Sequence, residues 1–226
     1  MTGGTARTFA IAGICAAFVL AGAAAEIVLL PRAVPTLPGP LKLTDGQPTV
    51  MTQPALEALL AKVAKSLDPE LRTKLAEAVL TESSRGGLDP LFVLSLVAVE
   101  SRFRISVSSE RGAYGLMQLK PSTFAWIAGR EPDIGGDDGA VSEDPVVDVR
   151  LAVRYFKWLE HRFHTRDDAL MAYNAGPRRL MQYKKAGEIP DSLREYPRRV
   201  MKEYQLFVKI IAGATDPQAG MLARAN

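Results

Sequence analysis

Apolar positions fall into helical registers along most of the chain. Leu56, Leu59, Leu60 and Val63 recur at three- and four-residue steps after Thr52 and Pro54, and Leu71, Leu75 and Val79 repeat between Asp68-Pro69 and Gly86-Gly87. Each set draws one face of a helix with a start signal in front of it. Asp89-Pro90 opens a third helix, expected to run to about Phe103, and Pro121 opens a fourth that runs through Ala128 into Gly129. Asp144-Pro145 opens a fifth, in which Val149, Ala152, Val153, Phe156 and Leu159 form a core stripe out to about His164. A short helix from Ala169 to Ala175, opened by Asp167 or Asp168, and a last one from about Arg194 to Ile211 complete the series, with turns at Gly187 and Pro190 between them. No segment shows the period-two alternation of a sandwich strand, so the fold class is mainly α, with room for at most a small sheet.

Two stretches break the helical registers. From Thr8 to Ala25 the chain is apolar behind a single positive charge at Arg7, which marks residues 1–30 as a signal peptide or an N-terminal membrane anchor. Ala23-Ala24-Ala25 offers a cleavage site, and an uncleaved Thr8 to Leu30 is long enough to span a bilayer. Six prolines between Pro31 and Pro54 exclude regular structure and predict an extended linker over 31–54. A folded domain is expected over 55–213, followed by a disordered tail over 214–226. The lone cysteine, Cys15, leaves the folded part without a disulfide, which is compatible with an oxidising compartment.

A formal charge of +3 gives no argument for nucleic acid. It is unevenly spread: residues 131–149 hold seven acids and no base, and residues 150–209 hold fourteen bases against seven acids. The basic half reads first as a solvated helix face and second as a surface for a polyanion or headgroups. The acids before Pro145, with Asp133, Asp137 and Asp138, read as a solvated loop without the spacing of a calcium site. His161 and His164 lack zinc-ligand spacing, so neither metal nor cofactor is expected.

Glu100 is the position that composition does not explain. Counting back by three, four and seven gives Val97, Leu96 and Val93, so an acid continues an apolar helical stripe. Two readings stand: a desolvated carboxyl that holds a proton near neutrality and serves as a general acid, or a surface acid paired with Arg104 one turn on. The loop after it is rich in Ser and Gly. Ser109 and Gln118 supply donors and acceptors suited to hydroxyl and acetamido groups, and Met117 supplies a soft apolar contact.

Glu100-Ser101, then Ser109, then Gly112-Ala113-Tyr114-Gly115-Leu116-Met117-Gln118, and later Ala172-Tyr173-Asn174-Ala175-Gly176-Pro177, occur in one order and at compatible spacing. In these blocks the chain resembles the soluble-lytic-transglycosylase (SLT) domain, a relative of goose-type lysozyme, over a core from about Leu88 to Tyr204. The resemblance implies a lysozyme-like helical domain that cleaves the β-1,4 bond between N-acetylmuramic acid and N-acetylglucosamine without water. Glu100 would be the single acid and base, and the C6 hydroxyl of the muramyl residue the nucleophile. It implies that Ser109, Gln118, Tyr173 and Tyr196 hold the sugar or orient Glu100, supported by Ser101 and Asn174. It also implies peptidoglycan strands as partner and a periplasmic or envelope location, with the inner membrane and secretion or flagellar assemblies as settings in which such enzymes work. The chain departs from the family at Asp148 and Ala152, where Asn and Gly are usual, and at Ser192, Leu193 and Pro197 beside Tyr196. The competing readings are a hydrolytic muramidase on the same fold and a non-catalytic peptidoglycan-binding component of an envelope-spanning assembly.

Overall fold

A helix that is apolar on every face has to be surrounded, and the chain builds its domain around one. The computed structural model describes residues 51–134 and 144–215. Its helices are α1 (Gln53–Val63), α2 (Pro69–Gly86), α3 (Pro90–Ser101), α4 (Pro121–Ala128), α5 (Pro145–Phe163), α6 (Arg166–Ala175), α7 (Pro177–Ala186) and α8 (Asp191–Thr215). Among the described residues there is no strand, only isolated bridges that join Tyr114 to Ser108 and to Leu119. The fold is mainly α, as the registers predict.

The central helix is α3, with every residue from Leu91 to Val97 buried, including Ser95, whose hydroxyl donates to the Leu91 carbonyl. α8 and α2 pack on it, and α5 lies between α2 and α6. Phe92 of α3 meets Phe156 of α5 with ring centroids 5.3 Å apart. Side-chain caps set the helix starts where the sequence places them: Thr52, Asp68, Asp89 and Asp144 each accept an amide hydrogen bond from the first turn, followed by proline at the first or second position in every case.

Several boundaries differ from expectation for local reasons. α1 begins at Gln53, so the last two residues assigned to the linker are helical. α3 stops at Ser101 rather than Phe103, because Arg102 and Phe103 both take left-handed conformations, at φ 54° and 60°. The Thr165 hydroxyl caps α6 by accepting from the Asp168 amide, three residues ahead of the predicted start. The segment after Gly176-Pro177 forms a helix of its own, α7, and α8 starts at Asp191, with Pro197 tolerated inside it. The signal or anchor over 1–30, the linker up to residue 50, Asp137 and Asp138, and the tail beyond residue 215 lie outside the described residues. Among the described residues no helix is long and apolar enough to cross a membrane.

The acids expected to be solvated are partly structural. Arg154 of α5 is almost wholly buried and bonds Glu82 of α2 through Nε at 3.0 Å, Glu131 at 2.5 Å and Asp133 at 2.7 Å, while Arg150 adds a second cation to Glu82 at 3.1 Å. Glu82 is only 1% exposed, so its charge depends on these partners. Arg154→Met leaves Glu82 buried with Arg150 alone, and urea denaturation at pH 7 is expected to show a loss of about 3 kcal/mol. A smaller loss in Arg154→Met combined with Glu82→Leu than in the single variant is the second expected result.

Candidate active site

The site is the C-terminal end of α3 and whatever the fold brings against it. Glu100 is the second-last residue of α3 and is half-buried, above the fully buried Val93, Leu96 and Val97. Its carboxylate accepts a short hydrogen bond from the hydroxyl of Tyr196, a fully buried residue of α8. Burial pushes Glu100 up to about 7. The Tyr196 hydrogen bond and the Arg199 cation pull it down, and the charge of Asp148 adds to the rise. The alternative pair with Arg104 does not form, since the Arg104 guanidinium donates to the Ser101 carbonyl at 2.9 Å. Arg199 also lies over the Tyr196 ring, 5.5 Å from its centroid.

α8 fixes both ends of α3. Near its other end, the Tyr204 hydroxyl donates at 2.8 Å to Asp89, which also caps α3 through the Leu91 amide at 2.7 Å. The carboxyl that starts the helix and the carboxyl near its end therefore both accept from α8 tyrosines, two helical turns apart. Burial raises both Tyr196 and Tyr204 above the ordinary phenol range, so both stay hydroxyl donors at neutral pH.

The loop from Ser101 to Gln118 closes the other side, and its expected ligand groups are largely taken up in shaping it. The Gln118 amide donates to the Val107 carbonyl at 2.8 Å and the Gly115 carbonyl at 2.9 Å, with its own backbone left-handed at φ 49°. The Ser109 hydroxyl accepts from the Ala113 amide at 3.0 Å. Met117 is fully buried, so its side chain is not presented to a ligand, and Ser101, expected in a supporting role, is fully buried with its hydroxyl on the Val97 carbonyl. Met117 acts through its backbone instead: its carbonyl accepts from the Tyr173 hydroxyl at 2.9 Å, and its amide donates to Asp148 at 2.9 Å. Asn174 is exposed on α6 beside Tyr173. Glu100, Tyr196 and Tyr173 thus gather at one place with the Gly115–Gln118 turn behind them. Asp148 is the member that sequence reasoning missed. Its helical register with Ala152 and Leu151, both buried, was the available signal. Among the described residues no cluster of acids, histidines or cysteines could hold a metal.

Fold and site together define a mainly α, lysozyme-like domain that carries one raised-pKa carboxyl at the end of its central helix. The family profile described as "Transglycosylase SLT domain" matches residues 77–192, just over half of the chain. The chain belongs to the transglycosylase SLT domain family. Over 100 residues it is 33% identical to the endo-type membrane-bound lytic murein transglycosylase A of Klebsiella pneumoniae, covering 42% of this chain and 49% of the relative. The chain thus spans about half the length of the curated relatives it matches. Among solved structures it resembles an inactive mutant of the lytic transglycosylase Slt from Pseudomonas aeruginosa, with a TM-score of 0.53 at 23% identity over 70% of this chain and 30% of the other. The 70 kDa soluble lytic transglycosylase of Escherichia coli gives a TM-score of 0.52 at 22% identity, over 71% of this chain and 29% of that one. At these identities the structural likenesses establish the fold, and it is the fold that the blocks around Glu100 implied.

A carboxyl lifted from 4.5 to about 7 weakens the protein as pH rises. Between those values the folded state holds a proton that the unfolded chain has released, so stability falls with pH through the window. Glu100→Gln is expected to be more stable than wild type at pH 8, by on the order of 3 kcal/mol, and equal to it at pH 4, as read from denaturant midpoints. Gly115 permits a test of the turn. It sits at φ +81°, and a Cβ there would lie 2.5 Å from the Asp148 carboxylate, so Gly115→Ala should lose about 2 kcal/mol or more in the same measurement.

Proposed function

We propose that the protein is a peptidoglycan lytic transglycosylase in which Glu100 is the sole general acid and base. The observation that carries this reading is the carboxyl of Glu100, half-buried, raised to about 7 and held by Tyr196 at the end of an apolar helix, inside a domain of this family. A group poised near neutrality gives up its proton to a leaving oxygen and takes another back within one turnover.

In the proposed reaction, the protonated Glu100 donates to the glycosidic oxygen between N-acetylmuramic acid and N-acetylglucosamine as that bond breaks. The resulting carboxylate then removes the proton of the muramyl C6 hydroxyl, whose oxygen closes on the anomeric carbon. The product is a 1,6-anhydro ring, and Glu100 ends protonated as it began. Tyr196 supports both halves: its hydroxyl donor stabilises the carboxylate formed midway and fixes the oxygen that must face the sugar. The Tyr173 hydroxyl, anchored on the Met117 carbonyl, keeps the turn against the cleft.

A one-carboxylate route also fits the surroundings. Hydrolysis by two carboxylates needs a second one within reach of water or the anomeric carbon. Asp148 is 2% exposed and spends one oxygen on the Met117 amide, and Glu110 stands exposed on the loop. The names of the relatives, lytic murein transglycosylases, point the same way, and the membrane-bound relative supports an envelope location for a chain that opens with an apolar stretch.

Mass spectrometry of sugars released from purified sacculi tests the reading. Wild type should release muropeptides one water lighter than muramidase products. Glu100→Gln should fold and lose release by at least ~10²–10⁴-fold. Reducing-end products would make the enzyme a hydrolase, and sacculus binding without release would make it a scaffold.

A further inference from the structure

Asp148 sits in the first turn of α5, where an acid favours the helix dipole, yet it faces inward and is 2% exposed. Its Oδ2 accepts the Met117 amide at 2.9 Å, and its buried Oδ1 has no hydrogen-bond partner among the described residues. The turn it meets is shaped to admit it: only a residue without a Cβ fits at Gly115, against the same Oδ2. Through the two backbone groups of Met117, Asp148 on α5 is linked to Tyr173 on α6. We propose that Asp148 is a positioning residue of the Glu100 site, a second buried acid that clamps the Gly115–Gln118 turn and, through Met117, ties it to Tyr173 beside Glu100. The catalytic consequence rests on the reading of Glu100 as general acid.

A clamp alone would not need a carboxylate, because any buried acceptor could take the Met117 amide. What a carboxylate adds is charge, and the charged neighbours of Glu100 make that charge count. From α8, Tyr196 and Arg199 face Glu100 and both favour its ionised form; from α6 comes Tyr173, a neutral phenol; from α5 comes Asp148, which acts in the opposite direction. The remaining neighbours of α5 do not compensate. Glu82 of α2 is taken up by Arg150 and Arg154, and α4 brings no ionisable side chain. Burial pushes Asp148 itself up to about 7, opposed only by amides of the turn. Two acids so placed titrate as a pair: near neutrality the site accepts one negative charge readily and resists the second. The turn is held by the same group that keeps Glu100 charged with its proton, so loop geometry and acid strength are set together.

The experiment is a carbon-13 NMR titration of side-chain carboxyls in the full chain, run for wild type, Asp148→Asn and Glu100→Gln, beside the pH profile of muropeptide release. Asp148→Asn keeps an acceptor for the Met117 amide and removes the charge. The Glu100 midpoint is expected to fall by about half a pH unit, with the alkaline limb of kcat moving to lower pH by the same amount while Met117 keeps its slow amide exchange. By reciprocity, Glu100→Gln must lower the Asp148 midpoint equally, which keeps the test open should Asp148→Asn fail to fold. Asp148→Leu should lose both the slow exchange of Met117 and activity at every pH. Unmoved midpoints in both charge-removing variants would overturn the proposal and leave Asp148 a clamp of the turn with no part in the Glu100 site. Moved midpoints in a protein that releases no muropeptide would uphold the pair and sink the transglycosylase reading instead.

Discussion

Everything in this domain answers to one unfavourable placement, a carboxyl at the end of a helix with no polar face. An ionised acid in such surroundings is costly unless it is hydrogen-bonded, and the protein provides one strong donor, the Tyr196 hydroxyl, while leaving the group high enough to hold a proton. The result is a compromise between two states. A drier pocket without Tyr196 would leave an acid too weak to ionise, and a wetter one would leave it ionised at neutral pH. The stability given up as pH rises from 4.5 to about 7 is the thermodynamic trace of that compromise.

The helical architecture was legible because the core stripes and the capping residues agree. Leu56-Leu59-Leu60 behind Thr52, or Val149-Ala152-Val153-Phe156 behind Asp144-Pro145, say the same thing twice. Glu100 was legible for the opposite reason, as a charge that contradicts its stripe. The misreadings share a physical cause: they concern groups whose partners lie far away in sequence. Asp133 and Glu131 read as solvated because Arg154, twenty or more residues on, is invisible to local pattern. Met117 read as a ligand contact because its side chain is apolar and its loop is glycine-rich. What matters at that residue is the backbone, which no side-chain pattern reports.

The loop shows how polar side chains can be functional in kind and structural in use. Gln118 and Ser109 have the hydrogen-bonding groups a sugar wants, and those groups bond the loop's own backbone. Their first effect is to hold Gly115 and Gln118 at positive φ, conformations that the chain would otherwise leave. A preformed turn of this sort presents a shaped wall to whatever enters the cleft, with the ordering cost met during folding rather than on binding.

The two tyrosine contacts from α8 carry a further meaning for how the molecule comes into being. Tyr196 lies 96 residues after Glu100, and Tyr204 lies 115 residues after Asp89. Glu100 gains its partner, and α3 its cover, only when the last helix docks. A chain that emerges amino-terminus first, from a ribosome or across a membrane, carries its acid long before it carries a finished site. Completion of the surroundings of Glu100 is thereby deferred to the closing step of folding, and a molecule interrupted before α8 is complete leaves that acid without its tyrosine partner.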